Sequence, residues 1–481
     1  MSLLPVVQIL GFLLILLSFL MTLPVNLLMF GHHPDWLAFV KSATISFTVG
    51  LICFLAAGRR RHSLRQRQMF ILTVSAWIIL PGFSSLPLLF SDMKFSVTDA
   101  FFESISGVTT TGSTILTGLD HLAADILLWR SIMQWMGGIG IIGMAVAILP
   151  FLRIGGMRLF ATESSEWTEK AVPRTNLLAR GLVISYLAIT AGCIALYWIL
   201  GMDLFNAVNH AMTTVSTGGY STSDSSMGQF PQLSILLAST LFMAIGAMPF
   251  FLFVRLLHGQ YQPLLRDQQI RFFLKFLLIV ALIITLYRVV MEDAAPLSAF
   301  IHALFNITSV VTTTGYASQD YTLWGPLVVV IFFFLTFVGG CSGSTAGGMK
   351  IFRFQLSMLL LKEQVIRLLH PSAIFARHYN GRIISDEIVS SSVAFAFIFL
   401  ATFAVFSAIL ATMGLDLTTS LSGTATALAN VGPGLGPIIG PAGNFKTLPD
   451  AAKWVLMAAM LLGRLELLSV FVMFSPHFWR R

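Results

Sequence analysis

Apolar and polar positions alternate along the chain on two length scales. Apolar runs at 4–30, 37–57, 68–90, 125 onward, 177–200, 232–257, 386–413 and 451–474 are long enough to cross a bilayer, for which about 20 residues suffice. Between several of them lie moderately apolar segments of about 10–15 residues, too short to cross. Each short segment ends in a cluster rich in Thr and Gly. The first two runs, joined by His32, His33, Pro34 and Asp35, precede this pattern and form an N-terminal helix pair, 1–67. The adjacent histidines read as part of an exposed loop rather than a metal site, because only Asp35 stands near them at ligand spacing.

The short segments share one motif. Val108 to Thr114 reads Val-Thr-Thr-Thr-Gly-Ser-Thr, and Val311 to Ala317 echoes it as Val-Thr-Thr-Thr-Gly-Tyr-Ala. Looser copies are Val215-Ser-Thr-Gly-Gly-Tyr-Ser221 and Ala429-Asn-Val-Gly-Pro-Gly-Leu-Gly436. Four copies in equivalent hydropathic positions predict four repeat units, at 68–153, 154–260, 261–382 and 383–481. Each unit reads as an outer span, a short helix that enters part way, a returning irregular strand and a second span. Asp99, Asp203, Asp416 and, in the third unit, Ser298 stand where the short helix wants an N-cap. Non-helical backbone is tolerated at membrane depth only where it lines a wet cavity. Carbonyls of four such strands in a ring, with Thr and Ser hydroxyls, can replace the hydration shell of a monovalent cation. Gly allows the backbone angles and the close approach this needs, and helix C-termini add partial negative charge. A single Thr-Gly cluster could equally be an ordinary turn; the fourfold recurrence favours the ring.

The second span of unit three differs from the others. Leu323 to Phe337 is strongly apolar but runs into Gly339-Gly340-Cys341-Ser342-Gly343-Ser344-Thr345-Ala346-Gly347-Gly348 and resumes helically from Met349. Five glycines in these ten residues predict a broken helix, read either as a movable flap in a permeation path or as a small-residue packing face. Gly343 and Gly348 have the spacing of a phosphate loop, but Met349 stands where Lys is required. In the last span Arg464 lies too deep to snorkel, so it faces water or a partner. It is either a barrier to a passing cation or half of a structural pair, with Glu466 or another carboxylate.

Composition narrows the class. With 56% hydrophobic and 10% charged residues, 41 Phe and nine Trp, the chain is an all-α polytopic membrane protein rather than a soluble globule. The net charge of +8 does not imply nucleic acid, because 22 of the 29 Lys and Arg lie between units or at the C-terminus. By the positive-inside rule those clusters are cytoplasmic, as are both termini, and the Thr-Gly loops face outward. The linker from Arg153 to Arg180, with Glu163, Ser164, Ser165, Glu166 and Glu169, is either a docking surface or a solvated connection. Cys53, Cys193 and Cys341 imply no disulfide framework, and the first apolar run reads as a retained helix rather than a signal peptide. Asn306-Ile-Thr308 matches a glycosylation sequon but falls in a short helix expected to be buried.

The four loops, the Gly-rich break and Leu461-Leu-Gly-Arg-Leu-Glu466 together resemble the Trk/Ktr/HKT superfamily of potassium transporters, specifically its bacterial TrkH/TrkG branch. The resemblance covers essentially the whole chain, including the two extra N-terminal helices. It implies potassium uptake across the bacterial inner membrane through a central pore. The implied selectivity filter is Thr110, Thr111 and Gly112; Thr217, Gly218 and Gly219; Thr313, Thr314 and Gly315; Asn430, Val431 and Gly432. The implied gate is Gly339 to Gly348 with Arg464, and Lys350 helps hold it. A homodimer is also implied, as is a cytosolic TrkA-type regulatory partner that carries the nucleotide, NAD or ATP; no covalent cofactor is expected. Gly112, rather than Ser, favours potassium over sodium within this superfamily. The loops depart from Thr-Val-Gly-Tyr-Gly, the fourth most of all through Pro433, so looser selectivity than in tetrameric channels is expected.

Three alternatives bear on function. The flux could be coupled to protons or sodium, although no chain of carboxylates in the spans marks a proton relay. A carrier of organic solutes would require two inverted halves, whereas four parallel units are read here. An enzyme would require a metal motif or an activated nucleophile, and the ten histidines form neither.

Overall fold

The computed structural model describes residues 3–26, 35–58, 64–147, 174–372, 376–465 and 467–480. Helices α1 (Leu4–Val25) and α2 (Trp36–Ala56) form the N-terminal pair. They approach closely at two glycines: a Cβ on Gly11 would lie 2.6 Å from the Gly50 carbonyl oxygen, and one on Gly50 would lie 2.8 Å from the Gly11 carbonyl oxygen. Backbones that close gain packing that Leu-on-lipid contact cannot supply in a bilayer.

Four units follow. In the first, α3 (Gln66–Ser84, prolonged by Leu86–Phe90) precedes the short α4 (Val97–Val108) and the inner helix α5 (Ala124–Ala147). In the second, α6 (Arg174–Ile199) and the short α7 (Leu204–Val215) precede α8 (Leu233–Gly246) and α9 (Phe250–Leu257). The third has α10 (Gln268–Glu292), the short α11 (Pro296–Val311), α12 (Pro326–Leu335) and, beyond a break, α13 (Ile351–Leu369). The fourth is entered through a two-residue hairpin, His378–Tyr379 with Arg382–Ile383, and comprises α14 (Asp386–Thr412), the short α15 (Leu417–Ala429), α16 (Asp450–Arg464) and α17 (Leu467–Phe474). Seven of the described helices are long and apolar enough to span a membrane, eight if α8 and α9 count as one. The protein is a multi-pass, all-α membrane protein.

Exposure separates outer from inner elements. The long outer helices carry exposed apolar faces, as at Leu278, Ile279, Leu282, Ile283 and Leu286 of α10, which suit lipid. The four short helices are buried despite their polar content; Ser422 through Ala429 of α15 are all buried, as is Asn306 of α11. Cys53, Cys193 and Cys341 are free thiols.

Several expectations are corrected. The run 232–257 is two helices meeting at 96° rather than one span. Pro249 brings no N–H to a continued helix, and the Gly246 and Ala247 carbonyls are taken by N–H groups from elsewhere in the chain, so α8 ends at Gly246. The run 451–474 is likewise interrupted after Arg464, and the helix after the Gly-rich break resumes at Ile351, not Met349. The cap of α4 is Ser96, whose hydroxyl accepts from Asp99 N; Asp99 itself pairs with Lys453 Nζ at 2.7 Å. In unit three the helix starts with Pro296 behind Ala295, so Ser298 caps nothing. Asp203 and Asp416 cap α7 and α15 through their carboxylates as expected. His32, His33, the linker residues Arg153 to Lys170, and Glu466 lie outside the described residues.

Candidate ion pathway

Each short helix ends in the same way. Thr110, Thr217, Thr313 and Asn430 adopt left-handed φ of 52°, 51°, 57° and 57°. The residue after each donates its N–H to a carbonyl five positions back: Thr111 to Ser106, Gly218 to Thr213 and Thr314 to Ser309 at 2.8 Å, and Val431 to Thr426 at 2.9 Å. This is a Schellman cap in which Gly is the usual left-handed residue. Three of the four are instead β-branched Thr, each at a strain of about 1–2 kcal/mol. Two residues on, Gly112, Gly219, Gly315 and Gly432 take φ of 89°, 78°, 80° and 113°.

These glycines close a ring in chain order. A Cβ on Gly112 would lie 2.3 Å from Gly218 O, one on Gly219 1.8 Å from Thr314 O, one on Gly315 2.0 Å from Val431 O, and one on Gly432 2.8 Å from Thr111 O. Each loop therefore abuts the equivalent carbonyl of the next, and the fourth meets the first. Only Gly fits at this spacing. On one side of the ring a cleft of about 210 Å³ is lined by Gly112, Gly219, Gly315 and Pro433.

A buried ionic network braces the first two loops from behind. Glu103 of α4 and Arg130 of α5 pair at 2.8 Å with side chains 0% and 1% exposed. Thr114 Oγ1 and Ile115 N donate to the same carboxylate, each at 3.0 Å, and Arg130 Nη1 donates to Ser221 O at 2.9 Å. The guanidinium lies 4.1 Å from the centre of the Tyr220 ring, and the Tyr220 hydroxyl donates to Glu103 O at 2.9 Å. Gln134 completes the brace, donating to Gly218 O at 2.6 Å and accepting from Tyr220 N at 2.9 Å. Sequence reasoning missed this network. Its signal was present: a Glu and an Arg isolated in apolar segments expected at membrane depth, where ionisable groups are rare without a partner.

On the other side of the ring, the break between α12 and α13 forms a compact plug. Val338 and Met349 bridge as in parallel strands, with Gly339 N donating to Met349 O at 2.8 Å and Ile351 N to Gly340 O at 3.1 Å. Unit two supplies the frame. The carbonyls freed where α8 stops are taken by the plug: Thr345 N reaches Gly246 O at 3.2 Å and Cys341 N reaches Ala247 O at 2.9 Å, while Phe250 N donates to Gly343 O at 3.0 Å. Ser342 N donates to Gln269 Oε1 at 2.6 Å, Ser344 Oγ to Cys341 O at 2.6 Å, and Lys350 Nζ to Ala346 O. Gly348 takes a φ of 66°, and a Cβ on Gly347 would lie 2.3 Å from Ala429 O.

The plug touches the ring through Thr217 and Thr313, and Arg464 links it to Thr110. Thr313 Oγ1 accepts from Gly347 N at 2.7 Å, Thr217 Oγ1 lies 3.2 Å from Thr345 Oγ1, and Thr110 Oγ1 accepts from Arg464 Nη2. Arg464 also donates to Thr345 O at 2.8 Å, is 4% exposed, and meets no carboxylate among the described residues. Asn430 Nδ2 reaches Thr111 Oγ1 and Met460 O at 2.9 and 3.0 Å. The four loops singled out in sequence thus meet in one ring, and the Gly-rich break packs against it. Among the described residues no group of three or more His, Cys, Asp or Glu is placed to hold a metal ion.

A family model described as a cation transport protein, TrkH, matches residues 37–481. The chain belongs to the TrkH family. It is 49% identical over 478 residues to the Trk system potassium uptake protein TrkI of Halomonas elongata, covering 99% of this chain and 97% of that one. It is 34% identical over 476 residues to the Trk system potassium uptake protein TrkG of Escherichia coli strain K12, covering 98% and 97%. The crystal structure of the potassium transporter TrkH from Vibrio parahaemolyticus superposes with a TM-score of 0.92 at 34% identity, and each chain is covered fully. The TrkH-family architecture therefore extends over the N-terminal pair and all four units.

Proposed function

We propose that this TrkH-family protein takes up potassium across the bacterial inner membrane along the axis its four loops enclose. One observation carries this: four Schellman-capped helix ends, each followed by a left-handed Gly, bring four equivalent carbonyls into a closed ring. Potassium sheds its water where carbonyl and hydroxyl oxygens replace the hydration shell, and the four buried helix C-termini favour positive charge there. Thr110, Thr111 and Gly112, with their counterparts in the other units, are read as the filter. Gly339 to Gly348 are read as the gate, and Arg464 as a positive charge that repels the ion while the gate is in place. The names of the relatives support potassium as the cargo.

The same reading takes the basic clusters as cytoplasmic, with both termini on that side and the cleft beside Gly112 facing outward. It includes a homodimer and a cytosolic TrkA-type regulator that binds NAD or ATP and acts on the gate. The test is rubidium tracer uptake into liposomes holding the purified protein, with and without that regulator, in competition with potassium, sodium and lithium. Uptake blocked best by potassium is expected. No uptake under either condition, in protein shown to be folded and inserted, would overturn the proposal.

A further inference from the structure

Away from the axis, at the N-terminal end of α10, the fold gathers four cations around one cleft of about 610 Å³. Arg255 comes from the end of α9, Arg266 from the single turn Gln262–Arg266, and Arg271 and Lys275 from one face of α10, four residues apart. Nothing in the proposed conduction path uses them. Arg271 Nε is committed to Leu265 O at 2.9 Å, and Arg255, Arg266 and Lys275 form no ion pair among the described residues. Asp267 is the one carboxylate in the lining, and both its oxygens are engaged, by Ile270 N at 2.9 Å and Asn380 Nδ2 at 3.0 Å. The cleft therefore keeps a strong positive charge, to which the amino end of the 25-residue α10 adds.

The surroundings decide which anion fits. The cleft sits at the amino end of α10, a helix long and apolar enough to span a bilayer, and Leu256, Leu257, Tyr261, Leu265 and Leu274, within two residues of its lining in sequence, are exposed apolar side chains. A free phosphate has no use for such apolar neighbours; a phosphate carrying acyl chains does. Basic pockets at the membrane boundary, between spanning helices, are where anionic headgroups bind. We propose that this cleft binds the phosphate headgroup of an anionic phospholipid. Its walls are also the elements that hold the plug: α9 donates through Phe250 N to Gly343 O, and α10 accepts through Gln269 Oε1 from Ser342 N. A bound headgroup cross-links α9 and α10 and so favours the docked plug, a consequence that rests on reading the plug as the gate, whereas the binding itself does not.

The test is native mass spectrometry of the full chain exchanged into equal mixtures of phosphatidylglycerol and phosphatidylcholine. Wild type is expected to retain phosphatidylglycerol over phosphatidylcholine, and Arg266→Gln/Arg271→Gln/Lys275→Gln to lose at least fivefold of that excess. A control with the same charge loss elsewhere, Lys362→Gln/Arg367→Gln/Arg480→Gln, should retain it. No preference in wild type, or equal loss in both variants, overturns the site. So does displacement of the lipid by inorganic phosphate, which would make the cleft a free-phosphate site. If the excess is lost as expected but rubidium uptake in phosphatidylglycerol liposomes is the same for both proteins, the link to the plug fails while the lipid site stands.

Discussion

Replacing Thr345 by Val removes one hydroxyl from the plug and keeps the shape of the side chain. In the docked plug that hydroxyl lies 2.9 Å from Gly246 O, 3.2 Å from Val215 O and 3.2 Å from Thr217 Oγ1. Gly246 O keeps the bond from Thr345 N, but the Val215 carbonyl, buried at the end of α7, is left without this donor. Such a loss costs about 1–3 kcal/mol. Only the docked state bears it, because an undocked plug exposes the same groups to water. The docking equilibrium then shifts by about five- to 150-fold. While the open fraction is small, flux scales with it, so rubidium uptake into liposomes without a regulator should rise by a factor in that range. Competition by potassium, sodium and lithium should be unchanged, since the backbone of the ring is untouched. Unchanged uptake in protein that is folded and inserted would refute the idea that this contact holds a gate shut. A rise accompanied by altered ion preference would instead show that the hydroxyl shapes the ring itself.

Other outcomes are expected from the same geometry. Gly112→Ser places a Cβ 2.3 Å from Gly218 O at a φ of 89°, so the first and second loops must separate; rubidium uptake should become less sensitive to potassium and more sensitive to sodium, and an unchanged competition series would contradict the ring. Glu103→Ala leaves Arg130 buried and unpaired, a loss of about 3–5 kcal/mol, to be seen as a lowered midpoint in thermal unfolding monitored by size-exclusion; a midpoint equal to wild type would mean that the network is not a brace. Arg377 and Arg367 hold the Glu363 carboxyl below the usual carboxylate range. A depressed acid contributes stability above its unfolded value that is lost as pH falls through the folded one. Amide exchange in α13 should therefore accelerate on acidification below about pH 4.5, and Glu363→Gln should remove that dependence.

What was legible in the sequence follows from how local each cause is. A bilayer span needs about 20 apolar residues and nothing else, so the outer helices of units one, two and four could be read directly. Five glycines between Gly339 and Gly348 cannot hold a helix in any surroundings, so that break was visible too. The break at Pro249 was not, because proline alone does not decide the matter: α3 runs through Pro81 as a helix. The difference is tertiary. Beyond Gly246 the freed carbonyls are claimed by Thr345 and Cys341, about a hundred residues later. The caps misled for a similar reason. Ser96 and Asp99 both suit an N-cap, and what draws Asp99 away is Lys453, at the far end of the chain. The Glu103–Arg130 pair likewise joins two helices across a loop, with no periodicity to announce it.

The left-handed threonines were the least legible feature of all, since Thr is among the residues least suited to that conformation. Gly at 110, 217 and 313 would relieve the strain and still close the Schellman caps. It would also delete the hydroxyls that meet Arg464, Thr345 and Gly347. Asn430 shows the alternative: Asn tolerates the left-handed region, and its amide ties α15 to Thr111 and Met460 instead of to the plug. The strain is thus retained where a side-chain oxygen meets the plug or Arg464 and eased where none does. On the proposed reading, those three oxygens have two uses. Those of Thr217 and Thr313 anchor the plug when it is docked and that of Thr110 holds Arg464, and they are free to face a cation only once these partners leave. Opening the path and completing its innermost ligands would then be one event rather than two, which explains why a strained residue is kept at the place where the chain could most easily have used glycine.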